Sequence, residues 1–153
     1  MALDAIITEI GKLVAATTGA GAVLEYYRYT KSEQERNAAY LLPGVKEFHP
    51  SIVRRESSAA RDRGAGADNV RDAHLIVVHC YRAMTSAADS EKKLQVFVED
   101  LRKKLRANRK LPAAAGWLSA PPQVRAFNEV MFTGVVCWHA EVTVIAEDVM
   151  QGG

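Results

Sequence analysis

The residues best suited to chemistry are His79-Cys80 and the Cys137/His139 pair, which stand in two separate hydrophobic stretches. Brought together from neighbouring strands, they would supply the nitrogen and sulfur ligands that hold zinc tetrahedrally. A cysteine beside a histidine could equally form a thiolate nucleophile. Strand geometry argues against both uses. Successive strand residues point to opposite faces, so His79 and Cys80 cannot serve one centre without distortion. No Cys-x-x-Cys pair or His-x-x-x-His spacing supports a metal. No glycine-rich elbow carries either cysteine to an exposed turn. Gly64-Ala65-Gly66 lacks the third glycine and following helix of a dinucleotide fingerprint, and no P-loop occurs. The expectation is a chain with no catalytic residue, no metal and no cofactor, and not an enzyme.

A second candidate is the run from Arg102 to Lys110, rich in Arg and Lys and free of acids. It would suit a phosphate backbone. The plainer reading is a solvated helix end, because Glu99 and Asp100 stand four residues before Lys103 and Lys104 and cations favour a helix C-terminus. No aromatic residues are interleaved to stack on bases. A small nucleic-acid-binding module is therefore kept only as an alternative.

The elements that must position these residues centre on Ala73–Lys110. Ala73 to Arg82 is dense in β-branched and aromatic residues and predicts a mostly buried strand. Leu94, Val98, Leu101 and Leu105 then recur at helical spacing, with Phe97 widening the stripe, so a helix lies back on the sheet. Before this, Leu3, Ile6, Ile7, Ile10 and Val14 predict a first helix ended by the Thr17–Gly21 cluster. Ala22 to Tyr29 reads as a strand, and Ser32-Glu33-Gln34-Glu35 as a capping box opening a helix stopped at Pro43-Gly44. Ile52 to Glu56 reads as a short strand, and residues 57–69 as a long mobile loop.

Leu111 to Pro122 reads as a connector. Val124 to Phe132 and Val135 to Asp148 predict a hairpin around Thr133-Gly134. In its return strand Val136, Trp138, Ala140, Val142, Val144 and Ala146 share one face, and Cys137, His139, Glu141 and Thr143 the other. At about 3.4 Å per residue that strand would span roughly 48 Å. Such a length suggests a hairpin reaching past its own core. The fold class expected is α/β in the α+β sense. It would be a single domain over 1–153, with a mainly antiparallel sheet of four to five strands, helices packed on it and a long C-terminal β-hairpin.

With 48% hydrophobic and 25% charged residues, the 153-residue chain matches ordinary globular proteins. Its net charge of +2 gives no whole-molecule field for nucleic acid or an anionic membrane. Its apolar runs are far below spanning length, so no membrane is expected. The first sixteen residues carry Asp4 and Glu9 without a basic lead, so no signal peptide is expected either. Two cysteines make no disulfide framework, which suits a reducing cytoplasm.

The second half has an order of elements that resembles a known family. A strand ending Val78-His79-Cys80-Tyr81-Arg82 leads to the helix containing Phe97-Val98-Glu99-Asp100-Leu101-Arg102. Pro121-Pro122-Gln123-Val124-Arg125 opens the hairpin, and Gly134-Val135-Val136-Cys137-Trp138-His139-Ala140-Glu141-Val142-Thr143-Val144 returns it. Over Val70–Asp148 this is similar to the tail-terminator proteins of long-tailed bacteriophages, the lambda U type of minor tail protein.

The resemblance implies a structural protein of the virion, assembled in the host cytoplasm and placed at the head-proximal end of the tail. Copies form a homo-oligomer, a hexameric ring, that caps the tail tube protein and stops its polymerisation. The ring then offers a surface to the head–tail connector or neck protein, with DNA passing through its lumen without sequence-specific binding. A neck or head–tail completion protein is the alternative within the same class. Exposure patterns put the interface at Arg61, Arg63 and Asp68 in the loop, and at Arg125, Glu129, His139 and Glu141 on the hairpin.

Overall fold

The computed structural model describes residues 2–27, 30–43, 47–62, 70–84, 87–114 and 116–149. Helix α1 (Ala2–Ala15) precedes strand β1 (Val23–Leu24) and helix α2 (Glu33–Tyr40). Strands β2 (Ser51–Asp62) and β3 (Val70–Ala83) lead to helix α3 (Ala87–Ala107). Then come β4 (Lys110–Leu111), a 3₁₀ turn at Pro112–Ala114, β5 (Gly116–Leu118), β6 (Gln123–Phe132) and β7 (Val135–Val149).

The strands form one seven-stranded sheet in the order β1-β2-β3-β7-β5-β4, with β6 pairing the same strand β7 further along. All pairings are antiparallel except β1–β2. The sheet is therefore mixed and larger than the expected antiparallel sheet of four to five strands. The additions come from short pieces. β1 runs parallel to Ser51 and Ile52, and the expected connector Leu111–Pro122 contributes to two short strands whose Leu111 and Leu118 are buried in the main core.

The loop expected over 57–69 is also corrected. Ser57 to Asp62 continue β2 and pair with β3 from Leu75 back to Val70. Small polar residues are poor strand formers, but a committed partner strand supplies their hydrogen bonds, and tertiary pairing overrides propensity. Residues 63–69 lie outside the described residues.

One face of the sheet carries α1 and α3. Ile6, Ile10 and Val14 of α1 meet Leu94, Val98, Leu101 and Leu105 of α3 over Ile76, Val78, Val142, Val144 and Ala146. The opposite face holds a smaller cluster of Tyr40, Phe48, Ile52, Tyr81, Phe132 and Cys137. Helix α2 begins as expected: Ser32 Oγ accepts from the Glu35 amide at 3.1 Å, while Glu35 accepts from the Lys31 amide at 2.6 Å.

Two glycines matter for opposite reasons. Gly134 has φ of 83° after Thr133 at 49°, both left-handed, as a two-residue type I′ hairpin turn requires. Arg36 of α2 holds that turn by donating to the Thr133 carbonyl at 3.3 Å. Gly21 is needed for space: a Cβ there would meet the His49 carbonyl oxygen at 2.5 Å. The adjacent Ser51 amide donates to Ala22 at 2.8 Å, so this close approach sets up the parallel pair. Gly21→Ala is expected to cost about 1–3 kcal/mol by forced displacement, read by urea denaturation, whereas Gly11→Ala, whose Cβ would meet only Val23 at 3.9 Å, should not destabilise.

Candidate functional site

The sheet face opposite the long helices carries a continuous band of ring and charged side chains drawn from β2, β3, β6 and β7. Its frame is the β3–β7 register, which sets His79 opposite Glu141 and Tyr81 opposite His139. On a strand these alternate residues share one face. His79 Nδ1 lies 3.0 Å from His139 Nε2 and 3.5 Å from Glu141 Oε1. The His139 ring stacks on Tyr81 at 4.8 Å, and Tyr81 on Phe132 at 4.0 Å. Tyr27 shares a hydrogen bond of 2.7 Å with the Tyr81 hydroxyl, and the Arg54 Cζ lies over the Tyr27 ring, 4.5 Å from the ring centroid.

Two bulges complete the band. Between Arg125 and Asn128 the β6–β7 register gains a residue, with Ala126 at φ of 54°. The extra residue lets Arg125 and Asn128, an odd and an even position, face the same way. Asn128 Oδ1 therefore sits 3.2 Å from His139 Nδ1, while Arg125 donates to Glu141 Oε2 at 2.7 Å. The second bulge, at Glu56 in β2, presents that carboxylate to Arg125 Nη2 at 2.6 Å. In the sheet β2 and β6 are separated by β3 and β7, about 14 Å if flat. Curling of the sheet brings them within reach.

The electrostatics follow from this packing. Burial, then the neighbouring His139, holds the His79 pKa below its ordinary value. Burial does the same to His139, with Glu141 opposing. The bond to Glu141, backed by Glu56, raises the Arg125 pKa and keeps the guanidinium charged. Burial pushes Cys80 and Cys137 up to about 12, so both are protonated thiols at neutral pH. Cys80 faces the helix layer with Val78 while His79 faces the band, so the structure does not bring those two together.

Of the residues expected at an interface, Arg125, His139 and Glu141 meet in this band. Glu129 is exposed, paired in register with Trp138. The Arg61 backbone lies in β2 opposite Arg71, and Arg63 and Asp68 lie outside the described residues. Sequence reasoning missed Glu56, Asn128, Tyr27 and Tyr81 as members, because bulges and a pairing of strands distant in sequence place them. The basic end of α3 is partly committed: Arg102 is bound to Glu99 at 2.6 Å, and Arg109 donates to the Leu118 carbonyl at 3.2 Å.

Beside His79, Arg54, Arg55, Glu56 and Val77 line a hollow of about 230 Å³, below the roughly 300 Å³ at which ligand pockets begin. An open cleft of about 500 Å³ lies elsewhere, between Thr18-Gly19 and α3. There Glu47 binds both the buried Arg82 and Lys93, the latter at 3.2 Å, and these bonds hold its pKa low.

No family model matches the chain, and no curated protein does. One solved structure, 13% identical, covers 98% of this chain and 94% of its own, with a TM-score of 0.49. A likeness that loose carries no argument about function. Among the described residues no helix is long and apolar enough to cross a membrane.

Proposed function

We propose that this chain is a structural subunit that ends a phage tail, as its sequence resemblance over Val70–Asp148 implies. Copies close into a ring on the last ring of tube protein, block further addition and present a surface to the head connector or neck protein. DNA passes through the ring without sequence-specific contact, and the chain transforms no substrate.

The observation that carries this reading is a pair of open edges on opposite sides of one sheet. Among the described residues β1 covers only Ser51 and Ile52 of β2, and β6 pairs with β7 alone. Strand β6 is exposed along most of its length, with Met131 67% exposed at its tip. Unpaired edges are templates for another chain. Two different edges joined head to tail give a heterologous interface, which closes into a ring when the rotation per subunit divides a full turn. Both edges also carry a bulge and charged residues, devices that oppose indiscriminate pairing. This suits subunits that associate on a tube template and not in free solution.

Tail length tests the reading. Phage lacking this protein should make tails of uncontrolled length, visible by electron microscopy. Tails of correct length that fail to join heads would instead assign the chain to the neck.

A further inference from the structure

A second cluster, on the helix-side face of the same sheet, is independent of the ring reading. Asp72 of β3 lies directly opposite Asp148 of β7 in the register, and His74 follows two residues on, on the same face. Like charges placed directly across a strand pair repel. Asp148 and His74 are withdrawn from water, only 7% and 5% exposed, while Asp72 is half-buried. His74 Nε2 and Asp148 Oδ1 are both buried without a hydrogen-bond partner. The nearest approach between the two side chains, Nε2 to Oδ2, is 3.6 Å, too long for a hydrogen bond. Buried polar atoms left in this state are rare and costly.

We infer that Asp72, His74 and Asp148 form a binding site for a divalent first-row transition cation. One donor atom from each residue lies within 4.8 Å of the others. A cation bonded to each at about 2.0–2.2 Å would use the Nε2 lone pair and neutralise both carboxylates together. The other ring nitrogen is already engaged: Ser58 Oγ lies 2.6 Å from His74 Nδ1. A cation on Nε2 would leave the ring proton on Nδ1, which would then donate to Ser58 Oγ, the usual way an outer partner orients a metal-binding histidine.

One imidazole with two carboxylates suits zinc, cobalt or manganese better than calcium or magnesium, which prefer all-oxygen sets. Three protein ligands leave a position for water. The ion would tie β3 to β7 at the end of the sheet away from the Thr133–Gly134 turn. The other histidine cluster makes a poorer site. His79 and His139 already engage each other, and Asn128 and Arg125 hold His139 and Glu141.

The test uses the whole chain, stripped with a chelator and titrated with Co²⁺ and Zn²⁺. One equivalent should bind, Co²⁺ should acquire visible absorption, and Tm should rise by about 5–10 °C at a free ion concentration 100-fold above Kd. His74→Gln and Asp148→Asn should abolish these effects, and His139→Gln should retain them. Should either variant fail to fold, Ser58→Ala, at an exposed position, should fold and bind about 10–100-fold more weakly. Absence of stoichiometric binding by the natural chain would overturn the site and leave His74 and Asp148 as neighbouring buried side chains with a structural role alone. Binding unchanged in Ser58→Ala, or lost only in His139→Gln, would overturn it too.

Discussion

Replacing Leu101 with alanine is expected to lower the free energy of unfolding by about 2–5 kcal/mol. Leu101 is fully buried at the middle of α3, in the cluster that joins both long helices to the sheet. Truncation removes the transfer energy of the lost methyl groups and leaves a cavity. The cluster it shares draws Ile6 and Ile10 from α1 and Val142 and Val144 from β7, separate elements that no single backbone shift moves together to close the gap. Whole domains are stable by only about 5–15 kcal/mol, so this one change removes a large share. Lys103→Ala, two positions on, should stay within about 0.5 kcal/mol. Equal midpoints for the two variants in urea would contradict the assignment of the buried face.

That face is legible in the sequence itself, because a helix must bury a stripe and the stripe recurs every three or four residues. Leu94, Val98, Leu101 and Leu105 are 4% exposed or less, and Phe97 is 6% exposed. The same reasoning holds for Ile6, Ile10 and Val14. It fails where structure depends on a partner distant in the chain. Lys110-Leu111 and Gly116–Leu118 are strands only because β7 continues past β6 and offers its edge at Ala146–Asp148. Ser57–Asp62 extend β2 because β3 lies beside them. Alternation in the return strand of the hairpin predicts one buried and one wetter face. In the fold Cys137 packs in the smaller cluster while Val136 is 47% exposed at the tip, since the helix layer stops short of the turn.

The candidate band is legible in pieces. Arg125, His139 and Glu141 stand out as polar residues on a strand face, and His79 stands out as a possible ligand. Nothing local joins them, because their neighbours are set by the β3–β7 register and by two bulged residues. The metal cluster is hidden for the same reason: Asp72 and Asp148 meet across a strand pair, and ligand-spacing rules look only along the chain.

The His79–His139 pair should make stability fall as the solution is acidified below neutrality. Their contact requires one ring to donate and the other to accept, so at least one histidine must stay neutral. Burial lowers the pKa of both rings, and at His79 the neighbouring His139 adds to it. Glu141 pulls both the other way without prevailing. Arg54 adds to the lowering at His79 and Glu56 opposes it, and Tyr27, Tyr81 and Asn128 also line the pair.

An unfolded histidine takes up its proton near pH 6.5, whereas these folded ones resist until lower pH. Between the two values the unfolded state holds more protons, so unfolding becomes easier as pH drops. The stability is complete above about pH 6.5 and drains away toward the folded pKa values. The slope is at most about 1.4 kcal/mol per pH unit for each histidine, less where solvent screens it. Urea unfolding at pH 7.5, 6.0 and 5.0 should show the decline, and the His79→Gln/His139→Gln double variant should flatten much of it. An undiminished slope in that variant would mean the acid sensitivity lies elsewhere, and that this face of the sheet does not depend on a neutral imidazole pair.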